Sequence, residues 1–498
     1  MSVQTILSWR AGGLAAALGV LLCAGSSSAQ VAGEPTYTLR EAIQAALEGN
    51  RELENAQLGL LTADEQVREA WGSVLPSIDA EVGYTRNLRV QEAFLPAIIF
   101  DPEAPPDELV PVRFGADNAW SAQFYIRQPI FDAGAFVGVG TAGRFRALQE
   151  EVVRGEAQQT ASRVRRAYYA ALLAQEDVRL VGESIRRTEQ TLRETEALNR
   201  SGLASSYDVL RLEVRLSNLR PNLQRAENAL ARAERELAIE MGLDQLTPIR
   251  VAGQLHEMNL ASLEANEGAN AQLLRLVGYR GAADASVEEL IEQARETRSD
   301  LRQAHLDYQL QDARVRFERT SYYPKLNAIF NAGFVAQENG APDFFGESRN
   351  QRSTTANVGL MLEIPIFQGF QRSARMQQRV LARQQSQVNE DLLKRQAANQ
   401  IRTAYEALLE ARARAQAQRQ AVSQARRGFE IVTAQYLAGT SSQLEVTEGE
   451  VLLRESEFNY AQAVYDFLVA QTNLDEAVGV VPLVDVGVPD EPDLRISE

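Results

Sequence analysis

Cysteine and histidine are nearly missing from this chain of 498 residues, which has one cysteine and two histidines. The cysteine, Cys23, lies in the first 29 residues, so the rest of the chain can form no disulfide. His256 and His305 lie far apart in the sequence, which argues against a histidine-based metal site. No Ser/His/Asp or Cys/His arrangement is visible. The sequence therefore predicts no enzyme, no cofactor and no metal.

Clusters of lysine and arginine are missing as well, and the formal net charge is -16. Nucleic-acid binding depends on positive charge that neutralises phosphates, so nucleic acid is not an expected partner. Beyond the first 29 residues, no apolar run reaches the ~18 residues that a membrane-spanning helix needs.

Residues 1–29 have the pattern of a secretory signal, with Arg10, an apolar stretch and a final run of small residues. Cleavage after Ala29 is expected. The alternative is cleavage before Cys23 with lipid attachment, which Leu22 disfavours because a small residue is needed there.

Two stretches, 136–242 and 371–479, predict long helical hairpins. The return limb of the first has apolar residues at steps of four and three, which form a heptad seam for a coiled coil. This seam is Leu212, Leu216, Leu219, Leu223, Ala226, Leu230, Ala233 and Leu237. Adding 237 to each number gives Gly449, Leu453, Ser456, Tyr460, Ala463, Phe467, Ala470 and Leu474, and it maps Gly242 onto Gly479. The outgoing limb has no proline from Phe136 to Asn199, so it predicts a helix of about 64 residues, roughly 96 Å long.

The segment before each hairpin is also repeated. Thr38 to Ser73 is predicted as one amphipathic helix, which begins with a capping box of Thr38 and Glu41. A shift of 248 maps this box onto Ser286 and Glu289, so the chain is predicted to be a tandem repeat. The predicted divisions are a signal peptide (1–29), a first repeat (30–243), an inter-repeat segment (244–285), a second repeat (286–480) and a tail (481–498).

Each repeat contains two strand candidates in which apolar and polar residues alternate. The apolar positions are Ile78, Ala80, Val82 and Tyr84; Trp120, Ala122, Phe124 and Ile126; Leu326, Ala328, Phe330, Ala332 and Phe334; and Ala356, Val358, Leu360, Leu362 and Ile364. Alternation over about 10 residues is typical of membrane β-barrel strands, and a half-solvated sheet of a soluble protein gives the same pattern. Four strands are fewer than the about 8 that close a barrel, so a barrel would need several chains in cyclic symmetry. The Pro-rich stretch 94–111 and the stretch 337–353 are predicted as the loops between paired strands.

Several short motifs recur in a fixed order along the chain. They are Leu75-Pro76-Ser77-Ile78, Gln128-Pro129-Ile130-Phe131-Asp132-Ala133-Gly134, Ile364-Pro365-Ile366-Phe367-Gln368-Gly369, Gly202-Leu203 and Tyr436-Leu437-Ala438-Gly439-Thr440. In this order and spacing they resemble the TolC-type outer-membrane efflux family over essentially the whole mature chain. The resemblance implies a mainly α fold with a β-barrel part. Three chains would form a barrel of about twelve strands in the outer-membrane lipid and a barrel of helices across the periplasm. It also implies a passive exit duct that docks to a periplasmic adaptor and, through it, to an inner-membrane transporter of the RND, ABC or MFS class.

The resemblance further implies roles for residues at the tips of the hairpins. The expected adaptor contacts are Gly202, Leu203, Gly439 and Thr440. The expected residues of a periplasmic gate are Asp208, Tyr436, Glu445 and Glu448. The best-known family members have an arginine where this chain has Ser441, so a lock of tyrosine, arginine and carboxylate would be incomplete. Ordinary turn glycines and solvated acids are the alternatives at these positions.

Two further patterns have competing interpretations. Residues 138–143 fit G-x-G-x-x-G, but no compact βαβ unit surrounds them, and the glycines are interpreted as the turn from a strand into a helix. The long hairpins also fit a periplasmic coiled-coil scaffold or adaptor that has no pore. The exported substrate, whether a small molecule or a whole protein, stays open.

Overall fold

A computed structural model describes residues 35–105, 107–244, 247–260, 272, 285–343 and 352–480. The predicted signal peptide with Cys23, most of the inter-repeat segment and the tail 481–498 lie outside the described residues. The helices are α1 (Leu39–Gly49), α2 (Arg51–Gly72), α3 (Ala133–Arg200), α4 (Ser206–Glu240), α5 (Val287–Thr297), α6 (Ser299–Thr320), α7 (Gln371–Leu437) and α8 (Gln443–Val478). The strands are β1 (Thr36–Tyr37), β2 (Ser77–Arg86), β3 (Glu92–Pro96), β4 (Leu109–Arg113), β5 (Asn118–Phe131), β6 (Arg250–Val251), β7 (Lys325–Glu338) and β8 (Arg352–Glu363).

The two long helices are confirmed. α3 has 68 residues and α7 has 67, which at ~1.5 Å per residue makes each about 100 Å long. The start of α3 differs from the prediction, because Asp132 caps the helix with its carboxylate on the backbone N–H groups of Gly134 and Ala135. Residues 138–143 therefore lie inside α3, and their interpretation as the turn between strand and helix is wrong.

The heptad seams are the surfaces on which the hairpins close. α4 packs on α3 and α8 packs on α7, and most seam residues of α4 and α8 are buried. α3 also contacts α8, so the four helices form a row in the order α4, α3, α8, α7. Nearer the sheet, α2 lies beside α3 and α6 lies between α3 and α7. α2 thus takes the place that α4 has near the tips, and α6 takes the place of α8.

The prediction of a single helix over Thr38–Ser73 is wrong, because the helix is interrupted at Asn50. The backbone of Asn50 is extended, with φ -72° and ψ 126°, and its carboxamide oxygen accepts from the N–H groups of Glu52 and Leu53 at the start of α2. The same side chain donates to the carbonyl of Glu240 at 3.3 Å, where α4 ends. A contact with a residue 190 positions later therefore fixes the break.

The second repeat has the same junction at Arg298. Its guanidinium donates to the carbonyl of Ala477 at 2.9 Å, the position that matches Glu240 after the shift of 237. Gly242 and Gly479 follow the ends of α4 and α8 with φ values of 73° and 79°. A Cβ on Gly479 would lie 2.7 Å from the Cα of Arg298, so only glycine fits this close approach of two backbones. The repeated glycines are thus explained by these junctions.

The four predicted strands form one antiparallel sheet in the order β2-β5-β7-β8. Ile78 lies opposite Ile126, and Phe330 lies opposite both Ile126 and Val358, so the apolar positions of all four strands share one face. Many of these side chains are exposed in the single chain, Val358 among them. β2 and β8 are the edges of the sheet.

The Pro-rich stretch predicted as a loop contains a hairpin of its own. β3 pairs antiparallel with β4, with Phe94 opposite Pro111 and Pro96 opposite Leu109. A 3-10 turn at Ala97–Ile99 follows β3. Prolines fit here because a hairpin of two strands leaves half of its N–H groups without a strand partner.

The main apolar core lies about halfway along the long helices. There, α1 and α5 pack around α3, α4, α7 and α8, with Tyr169 and Phe467 fully buried among them. β1 and β6 form a short parallel pair beside this core. Over the described residues, none of the helices combines the length and the apolar content needed to cross a bilayer.

Candidate functional site

The first tip is a tight turn between α3 and α4. Gly202 has φ 75°, and the N–H of Leu203 donates to the carbonyl of Leu198 at 2.8 Å, which closes the end of α3. Ser205 then caps α4, and the carboxylate of Asp208 accepts from the N–H of Ser205 at 3.4 Å to complete a capping box. Leu203 is 77% exposed, so the most apolar residue of the turn contacts solvent in the single chain.

The second tip repeats this geometry between α7 and α8. Gly439 also has φ 75°, and the N–H of Thr440 donates to the carbonyl of Gln435 at 2.9 Å. Ser442 caps α8 by accepting from the N–H of Glu445 at 3.3 Å. The hydroxyl of Ser441 donates to the Glu445 carboxylate, so the residue at the position of the family's arginine contacts one of the predicted gate acids.

The predicted gate residues are spread over two environments. Tyr436 is buried, and its hydroxyl hydrogen-bonds the hydroxyl of Thr195 at 3.0 Å, which joins the second hairpin to the first. Asp208 and Glu445 occupy the first turns of α4 and α8, and Glu448 is exposed one turn after Glu445. The structure therefore brings Tyr436 to α3 and leaves the acids at the two helix starts.

Sequence reasoning missed Thr195, although a signal for it exists. α3 carries small hydroxyl residues at steps of four, three and four, which is the spacing of a seam. They are Ser184, Thr188, Thr191 and Thr195, and all four are buried. A heptad search that admits serine and threonine would have found this polar seam, which includes Thr195, the partner of Tyr436.

A network of ion pairs next to the tips was also missed, and it joins all four long helices. Glu450 of α8 lies between Arg187 of α3, at 3.4 Å, and Arg215 of α4. Glu457 of α8 lies between Arg187, at 3.4 Å, and Arg426 of α7, at 3.0 Å. Both carboxylates are largely buried, so loss of one partner would leave charge with little access to water.

An exposed apolar stripe extends from the first tip along α4. Leu203 is followed by Tyr207, Leu210 and Val214 at steps of four, three and four, and all four side chains are exposed. This stripe is separate from the buried seam that begins at Leu212. Tyr207, Leu210 and Val214 line a groove of about 580 Å³ between α4 and α8, with Thr447 and Val451 on its other side. We call this feature the tip groove.

The two histidines take part in local ion pairs. His256 lies 3.0 Å from the carboxylate of Glu176, and His305 lies 3.4 Å from that of Glu390. Burial of the Glu390 carboxylate acts to raise its pKa, but Lys394 and His305 together outweigh this and hold the pKa below its usual value. In the part of the chain that the structure describes, no group of three or more His, Cys, Asp or Glu side chains is placed to hold a metal ion.

Comparison with known proteins gives consistent matches. Residues 42–243 and 290–480 match the family model described as outer membrane efflux protein. The chain is 26% identical over 371 residues to the alkaline protease secretion protein AprF of Pseudomonas aeruginosa, covering 74% of this chain and 71% of that protein. It is 20% identical over 447 residues to the outer membrane protein TolC of Escherichia coli, covering 89% and 82% of the two chains.

Solved structures show the same fold. A structure of CusC aligns with a TM-score of 0.68 at 18% identity, covering 90% of this chain and 93% of that one. The outer membrane protein VceC from Vibrio cholerae aligns with a TM-score of 0.65 at 16% identity, covering 89% and 96%. The family match and the related sequences favour the exit duct over the scaffold without a pore, which was the other function considered from the sequence.

Proposed function

Because the chain belongs to the outer membrane efflux protein family, we propose that three copies assemble into one duct that docks to a periplasmic adaptor through its helical tips. The chain is an outer-membrane protein that extends into the periplasm and serves as an exit duct of an efflux or secretion system. Its relatives include a protease secretion protein as well as TolC. The proposed function is therefore the exit duct that is common to these relatives, and experiments must identify the exported substrate.

The proposal of three copies rests on the four-stranded sheet, which has two free edges. β2 and β8 are the edges, and each leaves a row of backbone N–H and C=O groups without a partner strand among the described residues. If β8 of one copy pairs with β2 of the next, three copies close about twelve strands, above the ~8 that a barrel needs. The row of long helices likewise has two outer members, α4 and α7, that could meet in neighbouring copies. The same rotation would close both the strands and the helices.

Sedimentation in mild detergent tests this assembly. The expected result is one species with the mass of three chains and no stable monomer at micromolar concentration, because the single chain exposes both sheet edges and the apolar face. A folded monomer under these conditions would contradict the proposal. The repeats at 30–243 and 286–480, with the inter-repeat segment 244–285 between them, are proposed as the divisions of each copy.

The tips are proposed as the contact with the adaptor, which would couple the duct to an inner-membrane RND, ABC or MFS transporter. Gly202 and Gly439 shape the turns, while Leu203 and Thr440 are presented at their ends. Leu203 has no apolar partner within its turn and begins the exposed stripe of the tip groove. Such a stripe with heptad spacing is suited to a helix from another protein.

Leu203→Asp tests the tip contact, with Leu203→Met as its matched control. Aspartate places a charge in the proposed apolar contact and should abolish export, while methionine keeps an apolar side chain of similar volume and should preserve it. Both variants should sediment as the unmodified protein does. Normal export by Leu203→Asp in an intact oligomer would exclude Leu203 from the contact.

The gate is proposed at Asp208, Tyr436, Glu445 and Glu448. Asp208 and Glu445 occupy equivalent positions, so three copies would place six carboxylates around one mouth, and a narrow ring of like charge favours cations. The Tyr436–Thr195 hydrogen bond would hold the two hairpins together beside this ring.

Planar-bilayer recording of Asp208→Asn with Glu445→Gln and Glu448→Gln tests the ring. The amide oxygen of the introduced asparagine can still accept from the N–H of Ser205, so the helix start is retained while the charge is lost. Cation selectivity and block by multivalent cations from the periplasmic side should both fall. Unchanged selectivity and block would show that the constriction lies elsewhere.

A further inference from the structure

The hairpin of β3 and β4 carries more exposed apolar surface than an isolated surface loop needs. We call the residues 87–105 and 107–117 the outer hairpin, because they join β2 to β5 at the end of the sheet away from the helices. Seven large apolar side chains on it are exposed, and they are Leu88, Phe94, Ile98, Ile99, Phe100, Leu109 and Phe114. Together they present on the order of several hundred Å² of apolar surface, which in a soluble environment marks an interaction site.

Apolar side chains lie on both faces of this hairpin, which distinguishes it from a strand pair that has one fully polar face. Phe94 and Leu109 lie on one face and are exposed, while Leu95, Val110 and Val112 lie on the other and are half-buried. Polar contacts within the hairpin hold β3 and β4 together, including an ion pair of Arg113 with Glu92 at 3.0 Å. The hairpin is therefore a folded unit that can bring its apolar surface to a partner.

Polar residues at its base place the outer hairpin beyond the hydrocarbon of the membrane. The rings of Tyr84 and Trp120 lie 5.4 Å apart on the apolar face of the sheet, as in the aromatic girdle at a membrane interface. Directly beyond them, Arg86 donates to Asn118 at 2.6 Å and to the carbonyl of Gly340, and Asn118 is fully buried. The exposed side chains follow this polar cluster, so lipid tails do not reach them.

We propose that the outer hairpins of the three copies pack on one another over the outer mouth of the duct and form an apolar constriction there. This rests on the proposed trimer. The hairpin directly follows β2, the free edge on which the next copy would pair, so the copies that close the barrel bring their hairpins to one rim. An apolar constriction limits the passage of water and ions, and it would make the outer mouth a second barrier in addition to the tips.

Disulfide trapping tests the packing, because the only native cysteine is Cys23 in the predicted signal. Phe94→Cys and Ile99→Cys, each in a Cys23→Ser background, should form disulfides between copies, because identical residues meet only near the three-fold axis. Val358→Cys is the matched control, since this residue is 80% exposed on the outward face of the sheet and should not crosslink. Absence of crosslinks at both hairpin positions in a protein that sediments as a trimer would overturn this proposal alone.

Two further measurements test whether lipid contacts the apolar surface of the outer hairpin and whether the hairpins constrict the duct. A fluorophore on Ile99→Cys should be unaffected by brominated lipid, and quenching by that lipid would assign the surface to the membrane and overturn the proposal. Replacing residues 92–113 by a short Gly-Ser linker should raise the single-channel conductance at least about twofold, because it removes the constriction. Unchanged conductance in an intact trimer would equally overturn it. A monomer in sedimentation would refute the proposed assembly itself, and with it the constriction.

Discussion

Asp475 and Glu476 are neighbours in α8, and both pair with arginines that are neighbours in α3. Arg165 lies 2.8 Å from Asp475 with side-chain exposures of 1% and 6%, whereas Arg166 lies 2.6 Å from Glu476 with exposures of 34% and 38%. The two pairs have nearly the same length and join the same helices, so they differ mainly in burial. Burial opposes the charge of Arg165, yet Tyr169 on the next turn of α3 and Asp475 of α8 raise its pKa, so the guanidinium stays charged.

Removal of the acid should therefore have very different effects on the free energy of unfolding. Asp475→Asn leaves a buried guanidinium without its counter-charge and should lower this free energy by about 3–5 kcal/mol. Glu476→Gln removes a half-solvated pair and should lower it by about 0–1 kcal/mol. The measurement is urea unfolding, followed by helical circular dichroism in mild detergent at one protein concentration.

The double variant Arg165→Met with Asp475→Leu completes the test. It removes both charges and fills the site with apolar side chains, so it should lose less stability than Asp475→Asn alone. Equal losses for Asp475→Asn and Glu476→Gln would refute the reasoning, because burial would then have no effect on the strength of the pair. A double variant less stable than the single one would refute it as well.

Three other predictions follow from junctions, burial and the gate. Gly479→Ala should lose clearly more stability in urea than Gly439→Ala. Both add left-handed strain of about 1–2 kcal/mol, but only the first also meets a neighbouring backbone. Burial raises the pKa of Tyr168, so the folded state prefers its neutral hydroxyl. The neutral Tyr168 should contribute fully to the free energy of unfolding below the unfolded-state pKa of about 10, and this contribution should be lost as the pH rises above that value. Tyr168→Phe should remove this part of the pH dependence. Tyr436→Phe, Thr195→Val and their combination should raise the open probability in bilayers by the same factor, because each removes one shared hydrogen bond; additive effects would exclude that coupling.

The long helices, their seams and the four strands could be predicted because their signals are periodic and local. A stripe with steps of four and three over eight positions fixes a helix face, and strict alternation fixes the face of a strand. The shared face of the sheet then required only the register of the pairs. The tip turns were equally local, since Gly202 and Gly439 each follow a long helix directly.

The features that sequence reasoning missed depend on contacts between distant segments. Asn50 lies inside an amphipathic pattern, and only the carbonyl of Glu240 explains why the chain breaks there. Thr195 lies in a polar stretch, and its meaning comes from Tyr436, 241 positions later. The prolines of the outer hairpin suggested a loop, because whether a proline lacks a needed N–H depends on which strands are neighbours.

The two long helical hairpins of the chain have the same backbone arrangement, but different residue types hold their helices together. In the first, α4 contributes a seam that is mostly leucine. In the second, α7 carries twelve Lys and Arg residues against five acids, whereas α8 carries one against eight, and its seam includes Gly449 and Ser456. Pairs such as Arg414 with Asp466, at 3.1 Å, join the oppositely charged helices. Coulomb attraction that salt screens therefore contributes more to the second hairpin than to the first, in addition to the apolar burial that both hairpins have. A repeat that is detectable in the sequence thus retains the positions at which the helices meet without retaining the residue types that hold the helices together.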